Sequence, residues 1–354
     1  MISLNKRLIF AFFLVLLISI SACSGKKDVK TSLEEIRVGT EGIVINFLPN
    51  APPEKVYVER DGESLPFDIV LKIDNKGAYP QPDEGTGGTA PQHGKVFLSG
   101  FDQNIIEIKA KDTNTEPKSS DLSKMALEGK STINPNGGQD ILSFTGTIRG
   151  DNLNAEKYEP TLLATACYHY ETTAGPSVCI DPNPYSTVKE RKVCEVQDIT
   201  LSNQGAPIAV IKIDEEALAK KTQFKITIKN VGNGDALKDE AAENKCNPYG
   251  ENIDQKISRE DIDKVKLEHI KISETALDCG PFADTTEGSI KSSSGGFVRL
   301  VNGEGFVICE LGYDAYSNKI SAYTTPILIK LSYGYRTTVE RKLLIKKETS
   351  SLGG

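Results

Sequence analysis

Tryptophan is absent from this sequence, which also has only three histidines and two methionines. Without tryptophan, no antibody-type core can form in which an indole ring packs against a disulfide. The histidines lie far apart, and no two of them have the close spacing of metal ligands in one helix or loop. We therefore expect neither a metal site nor a cofactor. The three histidines are His93, His169 and His269.

Other catalytic patterns are missing as well. The sequence has no Gly-x-Ser-x-Gly elbow, and the glycine-rich run 85–88 lacks the lysine and the following helix of a phosphate loop. Asp181-x-Asn183 and Asp261-x-Asp263 each offer two oxygen ligands, but the calcium-binding EF-hand pattern is not met. These gaps favour a protein without enzymatic activity.

The charge balance is acidic, with 42 basic and 49 acidic residues and a formal net charge of −7. Such a surface argues against nucleic-acid binding and against a basic face that docks on membranes. We expect the acidic clusters at 214–216, 239–240 and 260–263 to be solvated surface. Two distant carboxylates can also hydrolyse a glycosidic bond. An extracytoplasmic carboxylate-dependent hydrolase of glycans or peptides therefore stays open as an alternative.

The N-terminus has the pattern of an export signal. Lys6 and Arg7 precede the apolar run 8–20, which is too short to span a bilayer comfortably and has the length of a signal-peptide core. The run ends in Ile20-Ser21-Ala22-Cys23, which resembles a prokaryotic lipobox. That resemblance implies cleavage before Cys23 and lipidation of its thiol, for example with palmitate.

The prediction is thus a signal peptide at 1–22 and a lipid-anchored flexible tether at 23–35. Residues 8–22 could instead serve as an uncleaved signal anchor. Either interpretation places the rest of the chain outside the cytoplasm, since positive residues before the apolar run favour the cytoplasmic side.

Six cysteines remain after Cys23, and an even number in an exported chain predicts disulfides. Spacing favours Cys279 with Cys309, both in the C-terminal third. Among the other four we prefer Cys179 with Cys194, which leaves Cys167 with Cys246, although other pairings are possible. No two of the six have the close spacing of zinc ligands.

Short runs rich in β-branched and aromatic residues, separated by Gly, Pro, Asn and Asp, predict an all-β protein. In the run 67–73, apolar residues alternate with polar ones, as in a half-buried strand. We expect three β-sandwich modules at 36–150, 151–255 and 256–347 and a disordered tail at 348–354. Among the predicted strands are 125–129, 192–196, 325–333 and 337–346.

An internal similarity links two of these strands. Phe67–Gly77 and Phe224–Gly232 both alternate and both run into Asn-x-Gly. Asn and Gly both tolerate positive φ, so they can close a strand tightly. The second copy, extended through 236, resembles the strand-plus-turn signature of CARDB-type and related immunoglobulin-like extracellular domains.

That resemblance implies tandem immunoglobulin-like β-sandwiches used for adhesion, spacing and display. The chain is also similar to archaeal surface proteins with a β-rich, cysteine-bearing layout, which implies no particular activity. Tyrosines crowd the second and third predicted modules. They suit protein interfaces, but they are also good strand formers, so both interpretations stay open. The tyrosines concerned are Tyr168, Tyr170, Tyr185, Tyr313, Tyr316, Tyr323, Tyr333 and Tyr335.

Taken together, the sequence predicts a membrane-anchored surface lipoprotein that acts without catalysis in binding, adhesion or envelope structure. Its partner would be a surface protein or a polysaccharide, and no nucleic acid is expected. A lipoprotein subunit of a secretion or transport complex is a further alternative.

Overall fold

The computed structural model describes residues 36–59, 64–81, 91–110, 119–186, 192–283, 293 and 295–348. The predicted signal peptide 1–22, the tether 23–35 with Cys23, and residues 349–354 of the predicted tail lie outside the described residues. The described chain belongs to one compact unit that starts at Leu33.

Strands dominate this unit, which confirms the all-β prediction. In chain order they are β1 (Ile43–Phe47), β2 (Lys55–Val58), β3 (Phe67–Asn75), β4 (Gly94–Ser99), β5 (Ile106–Ala110), β6 (Ser119–Asp121), β7 (Gln139–Ile148), β8 (Lys157–Tyr158), β9 (Thr161–Ala174), β10 (Ser177–Ile180), β11 (Ile199–Thr200), β12 (Ile208–Leu218), β13 (Lys221–Asn230), β14 (Asp235–Leu237), β15 (Lys264–Ile272), β16 (Thr275–Ala276), β17 (Asp278–Gly280), β18 (Gly296–Arg299), β19 (Glu304–Gly312), β20 (Tyr323–Lys342) and β21 (Leu344–Lys347). One α-helix, α1 (Asp239–Asn244), is described. Short 3₁₀ turns lie at Leu122–Lys124, Gly150–Asn152, Ile253–Gln255 and Tyr313–Ala315.

Several predicted boundaries need correction. Residues 125–129 and 192–196 form no strand. The predicted strands 325–333 and 337–346 are largely one strand, β20, because Gly334 between them is buried under α1 rather than placed in a turn. Helix α1 was not predicted, since six residues are too few for a helical period to show in a sequence.

The strands assemble into four sheets. The largest has the order β16-β15-β20-β9-β4-β6, with β10 and β14 also paired to β20 and β18 paired to β15. The others are β1-β3-β7-β5, β11-β12-β13-β19-β17 and β2-β21-β8. In the last of these, β2 and β21 are parallel.

Three of these four sheets cross the predicted module boundaries, whereas β1-β3-β7-β5 lies within 36–150. The central pair β9–β20 joins residues from 161–174 to residues from 329–342, and β4 extends the same sheet from the predicted first module. The ranges 36–150, 151–255 and 256–347 therefore do not each hold sheets of their own. Alternating apolar residues show which face of a strand is buried, but not which distant strand lies beside it.

Four buried tyrosines form the centre of the core. Tyr170 pairs with Tyr333 and Tyr168 with Tyr335 across β9 and β20, and all four side chains are at most 1% exposed. Their rings make tilted and edge contacts with centroids 5.9–6.4 Å apart. The interface interpretation is therefore wrong for these four residues and for the buried Tyr316. Tyr185 is exposed.

Each hydroxyl in this tyrosine cluster finds a polar partner from another segment, as buried phenols usually do. Tyr168 donates to the Ile43 carbonyl at 3.4 Å, and Tyr170 donates to that of Gly205 at 3.3 Å. Tyr333 lies 2.8 Å from Thr172 Oγ1 and accepts from the Ile208 amide. The cluster thereby connects the large sheet to β1, β12 and the loop before β12.

Both Asn-x-Gly turns pack on this cluster. The Asn75 and Asn230 side chains accept hydrogen bonds from the amides of Gly77 and Gly232 at 3.1 and 3.2 Å, which closes an Asx turn in each case. A Cβ on Gly77 would overlap the Tyr170 hydroxyl, and one on Gly232 would lie 2.5 Å from the Tyr335 hydroxyl. None of these four Asn and Gly residues has a positive φ. These glycines allow close approach instead.

Three disulfides are present, in the pairs that spacing favoured. Cys279 and Cys309 face each other on β17 and β19, with Cα atoms 4.0 Å apart. Cys179 of β10 is bonded to Cys194. Cys167 of β9 is bonded to Cys246, just after α1, in a small apolar cluster that includes Phe97, Leu237 and Ala242.

Candidate functional site

A cleft of about 710 Å³ opens beside the end of β9. Strands β9, β11, β15 and β20 contribute polar side chains to it, and Arg37 and the non-strand segments 78–81, 175–176 and 201–204 complete its walls. We call this surface the β9 cleft. Its lining residues are Arg37, Ala78, Tyr79, Pro80, Gln81, Glu171, Thr173, Ala174, Gly175, Pro176, Ile199, Thr200, Leu201, Ser202, Asn203, Gln204, His269, Leu328 and Lys330.

The outer face of the large sheet supplies the charged side chains because alternate residues of β9 point away from the core. Tyr170 and Thr172 are buried, whereas Glu171 and Thr173 point outwards. Lys330 pairs directly opposite Thr173 on β20 and belongs to the same face. A strand period of two thus places tyrosines in the core and cleft residues on the opposite side.

The loop 201–204 forms one wall of the cleft, and we call it the loop wall. Hydrogen bonds hold this loop in place. Gln204 accepts from the Val210 amide at 2.9 Å, donates to the Val210 carbonyl at 3.1 Å, and also donates to the Ser202 carbonyl. The Gly205 carbonyl accepts from the Ala78 amide at 2.7 Å. Gly205 has φ of +69°, a conformation that favours glycine. The loop is therefore held in place without a ligand.

Glu171 lies at the centre of a charged network. It contacts Lys330 at 2.9 Å and lies 3.7 Å from His169 Nε2. The other ring nitrogen, His169 Nδ1, is 2.6 Å from the Asp239 carboxylate at the start of α1. Burial raises the pKa of Glu171, but its hydrogen bonds with His169 and Lys330 outweigh this, so the net shift is downwards. Glu171 is therefore ionised, and its negative charge is balanced by its cationic partners.

The two histidines of this region shift in opposite directions. Burial lowers the pKa of His169, but the hydrogen bonds and charges of Asp239 and Glu171 outweigh it and raise the pKa to about 9. Burial lowers the pKa of His269, and the cations Lys271 and Lys330 lower it further. At neutral pH, His169 thus carries charge and links β9 to α1, whereas His269 presents a neutral imidazole to the cleft.

Tyr79 forms an aromatic edge of the cleft. Its ring makes edge contacts with His169 and Tyr170, with centroids 5.3 and 5.4 Å apart. Burial raises the pKa of its hydroxyl, and the negative charges of Glu171 and Asp239 raise it further. The phenol therefore stays protonated and can donate a hydrogen bond.

Arg37 brings a cation that lacks a partner among the described residues. Its Nε is buried and makes no hydrogen bond, and no carboxylate in the described ranges forms an ion pair with it. Buried polar groups normally have partners, so Arg37, which lines the cleft, keeps unused hydrogen-bonding capacity there. Nothing in the sequence around Arg37 pointed to this role.

The predicted acidic clusters are not brought together. Asp214 pairs with Lys212, Asp261 with Lys245, and Asp239 with His169. Of the residues that line the β9 cleft, Glu171 is the one carboxylate in the described part of the chain. The structure therefore assembles no pair of carboxylates there for the hydrolase alternative.

The expectation that the acidic clusters are solvated surface is wrong for two of their residues. Glu215 and Asp261 are 7% and 5% exposed. Strand β12 turns Glu215 inwards and its neighbours Asp214 and Glu216 outwards. One Glu215 oxygen accepts from the Cys179 amide at 3.2 Å, and the other has no hydrogen-bond partner in the described structure. Burial raises the pKa of Glu215 to about 7 against the opposing effect of that amide.

The remaining predicted positions lie elsewhere. His93 precedes β4, and its backbone carbonyl accepts a hydrogen bond from the His169 amide at 3.0 Å. Its contact with β9 is therefore made by the backbone. In the ranges that the structure describes, no group of three metal-ligating side chains comes together. Nor does any described helix have the length and apolar character needed to cross a membrane.

Comparison with known proteins places the chain in no family. No family model matches it, and no curated protein matches it. Among solved structures it is similar to the C-terminal domain of the Streptococcus pyogenes antigen I/II-family protein AspA. That match has 8% identity and a TM-score of 0.17 and covers 87% of this chain and 100% of the other.

A second match is the CupB6 tip adhesin from Pseudomonas aeruginosa. It has 10% identity and a TM-score of 0.17, and it covers 89% of this chain and 97% of the other. At these scores neither likeness carries an argument about this chain, so its function has to be inferred from its own residues.

Proposed function

We propose that this chain is a non-catalytic binding protein of the cell surface or envelope and that the β9 cleft is its recognition site. The observation that carries the proposal is a cleft lined by Arg37, whose Nε is buried and has no hydrogen-bond partner among the described residues. Ligand sites are typically rigid concave surfaces that carry a small number of well-placed polar groups. The network around Glu171 is internally neutralised, which suits holding a shape more than proton transfer.

The extracytoplasmic location rests on independent features. Three disulfides are typical of proteins that fold in an oxidising compartment. The run from Lys6 to Cys23 has the pattern of a lipoprotein signal. We propose that a lipid on Cys23 anchors the chain to the membrane outside the cytoplasm.

The proposal is tested by blocking the cleft. Gly175 lines it, and a Cβ added there meets no atom within 4 Å, so Gly175→Tyr would narrow the cleft without disturbing the fold. Gly312 is equally unobstructed and does not line the cleft, which makes Gly312→Tyr a matched control. The full-length chain and both variants would be applied to arrays of surface polysaccharides and purified envelope proteins.

We expect a ligand that is retained by the wild type and by Gly312→Tyr and lost by Gly175→Tyr. Equal retention by all three proteins would show that recognition does not use the cleft. Shortened products released from a bound polysaccharide would instead support the hydrolase alternative.

A further inference from the structure

Some polar groups of the β9 cleft already have hydrogen-bond or ion-pair partners within the protein, and others do not in the described structure. Gln204 is occupied by backbone groups, and Glu171 is occupied by Lys330 and His169. Arg37, by contrast, has a buried Nε without a hydrogen bond in the described structure. A guanidinium in this state is complementary to an oxyanion, because its N–H groups match the two oxygens of a carboxylate.

The charges around the cleft favour a negative ligand group. Arg37 and Lys330 line it, and Lys271 lies near enough to His269 to affect its protonation. Among the described residues, Glu171 is the one carboxylate that lines the cleft, and it already has two cationic partners. The described lining therefore carries surplus positive charge although the whole chain has a net charge of −7.

The uncharged lining mixes polar side chains with apolar ones such as Leu201 and Leu328, which suits a sugar ring with its hydroxyl groups and C–H faces. Thr173, Thr200, Ser202 and Asn203 offer hydroxyl and amide groups, and Tyr79 adds an aromatic edge with a protonated hydroxyl. Such groups can hydrogen-bond the many hydroxyls of a carbohydrate. The volume of about 710 Å³ lies in the range of small-ligand sites and leaves room for one or two sugar rings.

We propose that the β9 cleft binds an acidic polysaccharide, with a sugar carboxylate on Arg37 and the ring hydroxyls on the hydroxyl and amide side chains of the loop wall. This inference rests on the proposed function and adds the chemical class of the ligand. In this proposal, Arg37 makes the cleft prefer acidic polysaccharides over neutral ones. The loop wall binds sugar hydroxyls, which acidic and neutral polysaccharides both have.

The test compares carboxylates with their neutral counterparts. Titration calorimetry with the full-length protein would use oligogalacturonate, a hyaluronan tetrasaccharide and sialyllactose, each beside its methyl ester. A poly-glutamate peptide of similar charge serves as the protein-like comparator. The variants are Arg37→Gln, the cleft-blocking Gly175→Tyr, and Arg259→Gln as a control at an exposed arginine that does not line the cleft.

We expect at least one acid to bind about tenfold or more tightly than its ester, a difference typical of one charged hydrogen-bonded contact. Arg37→Gln should remove that preference, and Arg259→Gln should keep it. Equal binding of acid and ester that Gly175→Tyr abolishes would overturn this inference and leave the proposed function standing. Preference for the peptide would overturn the polysaccharide assignment, and no binding by any probe would count against both proposals.

Discussion

The hydroxyl of Tyr335 donates a hydrogen bond to Asn230 Oδ1 at 3.0 Å, and thereby joins the central strand β20 to the turn that ends β13. The same hydroxyl accepts from the Gly234 amide at 2.8 Å. One side chain from the large sheet thus fixes both sides of an Asn-x-Gly turn of the five-stranded sheet. The other Asn-x-Gly turn packs on Tyr170, whose hydroxyl accepts from the Tyr79 amide at 3.2 Å and donates to the Gly205 carbonyl instead of to Asn75.

Tyr335→Phe should destabilise the fold by about 1–3 kcal/mol, because it leaves the partly buried Gly234 amide without its acceptor and removes the hydrogen bond to Asn230. Tyr323→Phe is the control in the same strand, since the Tyr323 hydroxyl makes no hydrogen bond in the described structure. Urea unfolding of both variants gives the free energies. Equal losses for the two would show that the Tyr335 hydroxyl contributes nothing specific.

Removing the disulfides should destabilise the fold in the order of their loop lengths. The loops span 79, 30 and 15 residues for Cys167–Cys246, Cys279–Cys309 and Cys179–Cys194. Chain entropy predicts losses of about 4.5, about 3.5 and about 3 kcal/mol for the paired Cys→Ala variants. Denaturant unfolding of the three double variants checks the order, and a largest loss for Cys179–Cys194 would contradict it.

Glu215 should make the protein more stable in mild acid than at neutral pH. Its folded pKa of about 7 lies above the usual carboxyl value, so the folded state keeps a proton that the unfolded chain releases. The contribution of Glu215 to the free energy of unfolding therefore falls as the pH rises from about 4.5 to about 7. Glu215→Gln should be about 2 kcal/mol more stable than wild type at pH 8 and similar to it at pH 5.

The control for Glu215 is its exposed neighbour, changed as Glu216→Gln. Thermal unfolding at the two pH values compares the variants with wild type. If both substitutions changed the pH dependence alike, the buried carboxyl would not be its source.

His169 and His269 should titrate on opposite sides of the usual imidazole value. NMR titration should give His169 a midpoint near 9 and His269 one below its ordinary range. The raised pKa means that stability from His169 is fully present below about 6.5 and is lost as pH rises through about 9. Asp239→Asn should shift the His169 midpoint downwards and leave that of His269 nearly unchanged. An unshifted His169 would contradict the link between β9 and α1.

Cys23→Ser should release the protein from membranes, because it removes the thiol that would carry the lipid. Ser24→Ala is a neighbouring control that keeps the thiol. Fractionation of cells with each variant, followed by detection of the protein in membrane and soluble fractions, measures the effect. Retention of Cys23→Ser in the membrane would favour the signal anchor at 8–22.

Local patterns were enough to predict much of the fold. The alternation in 67–73 gave a strand that the structure extends to Asn75, and its inward residues are buried. The candidate site was much less predictable. Arg37, Tyr79, Glu171 and Lys330 come from four distant parts of the chain and share no motif. Only His269 had been singled out beforehand, and then as one of three scattered histidines.

The sequence by itself determined the β class, the inward face of many strands and six cysteines suited to disulfides, because these depend on neighbouring residues and on composition. The tertiary structure alone decided that β9 pairs with β20, that Tyr168, Tyr170, Tyr333 and Tyr335 form a core instead of an interface, and that a cleft opens beside them. Those outcomes depend on contacts between segments more than one hundred residues apart. A periodic pattern shows that a face needs a partner, and only the folded chain shows which partner it finds.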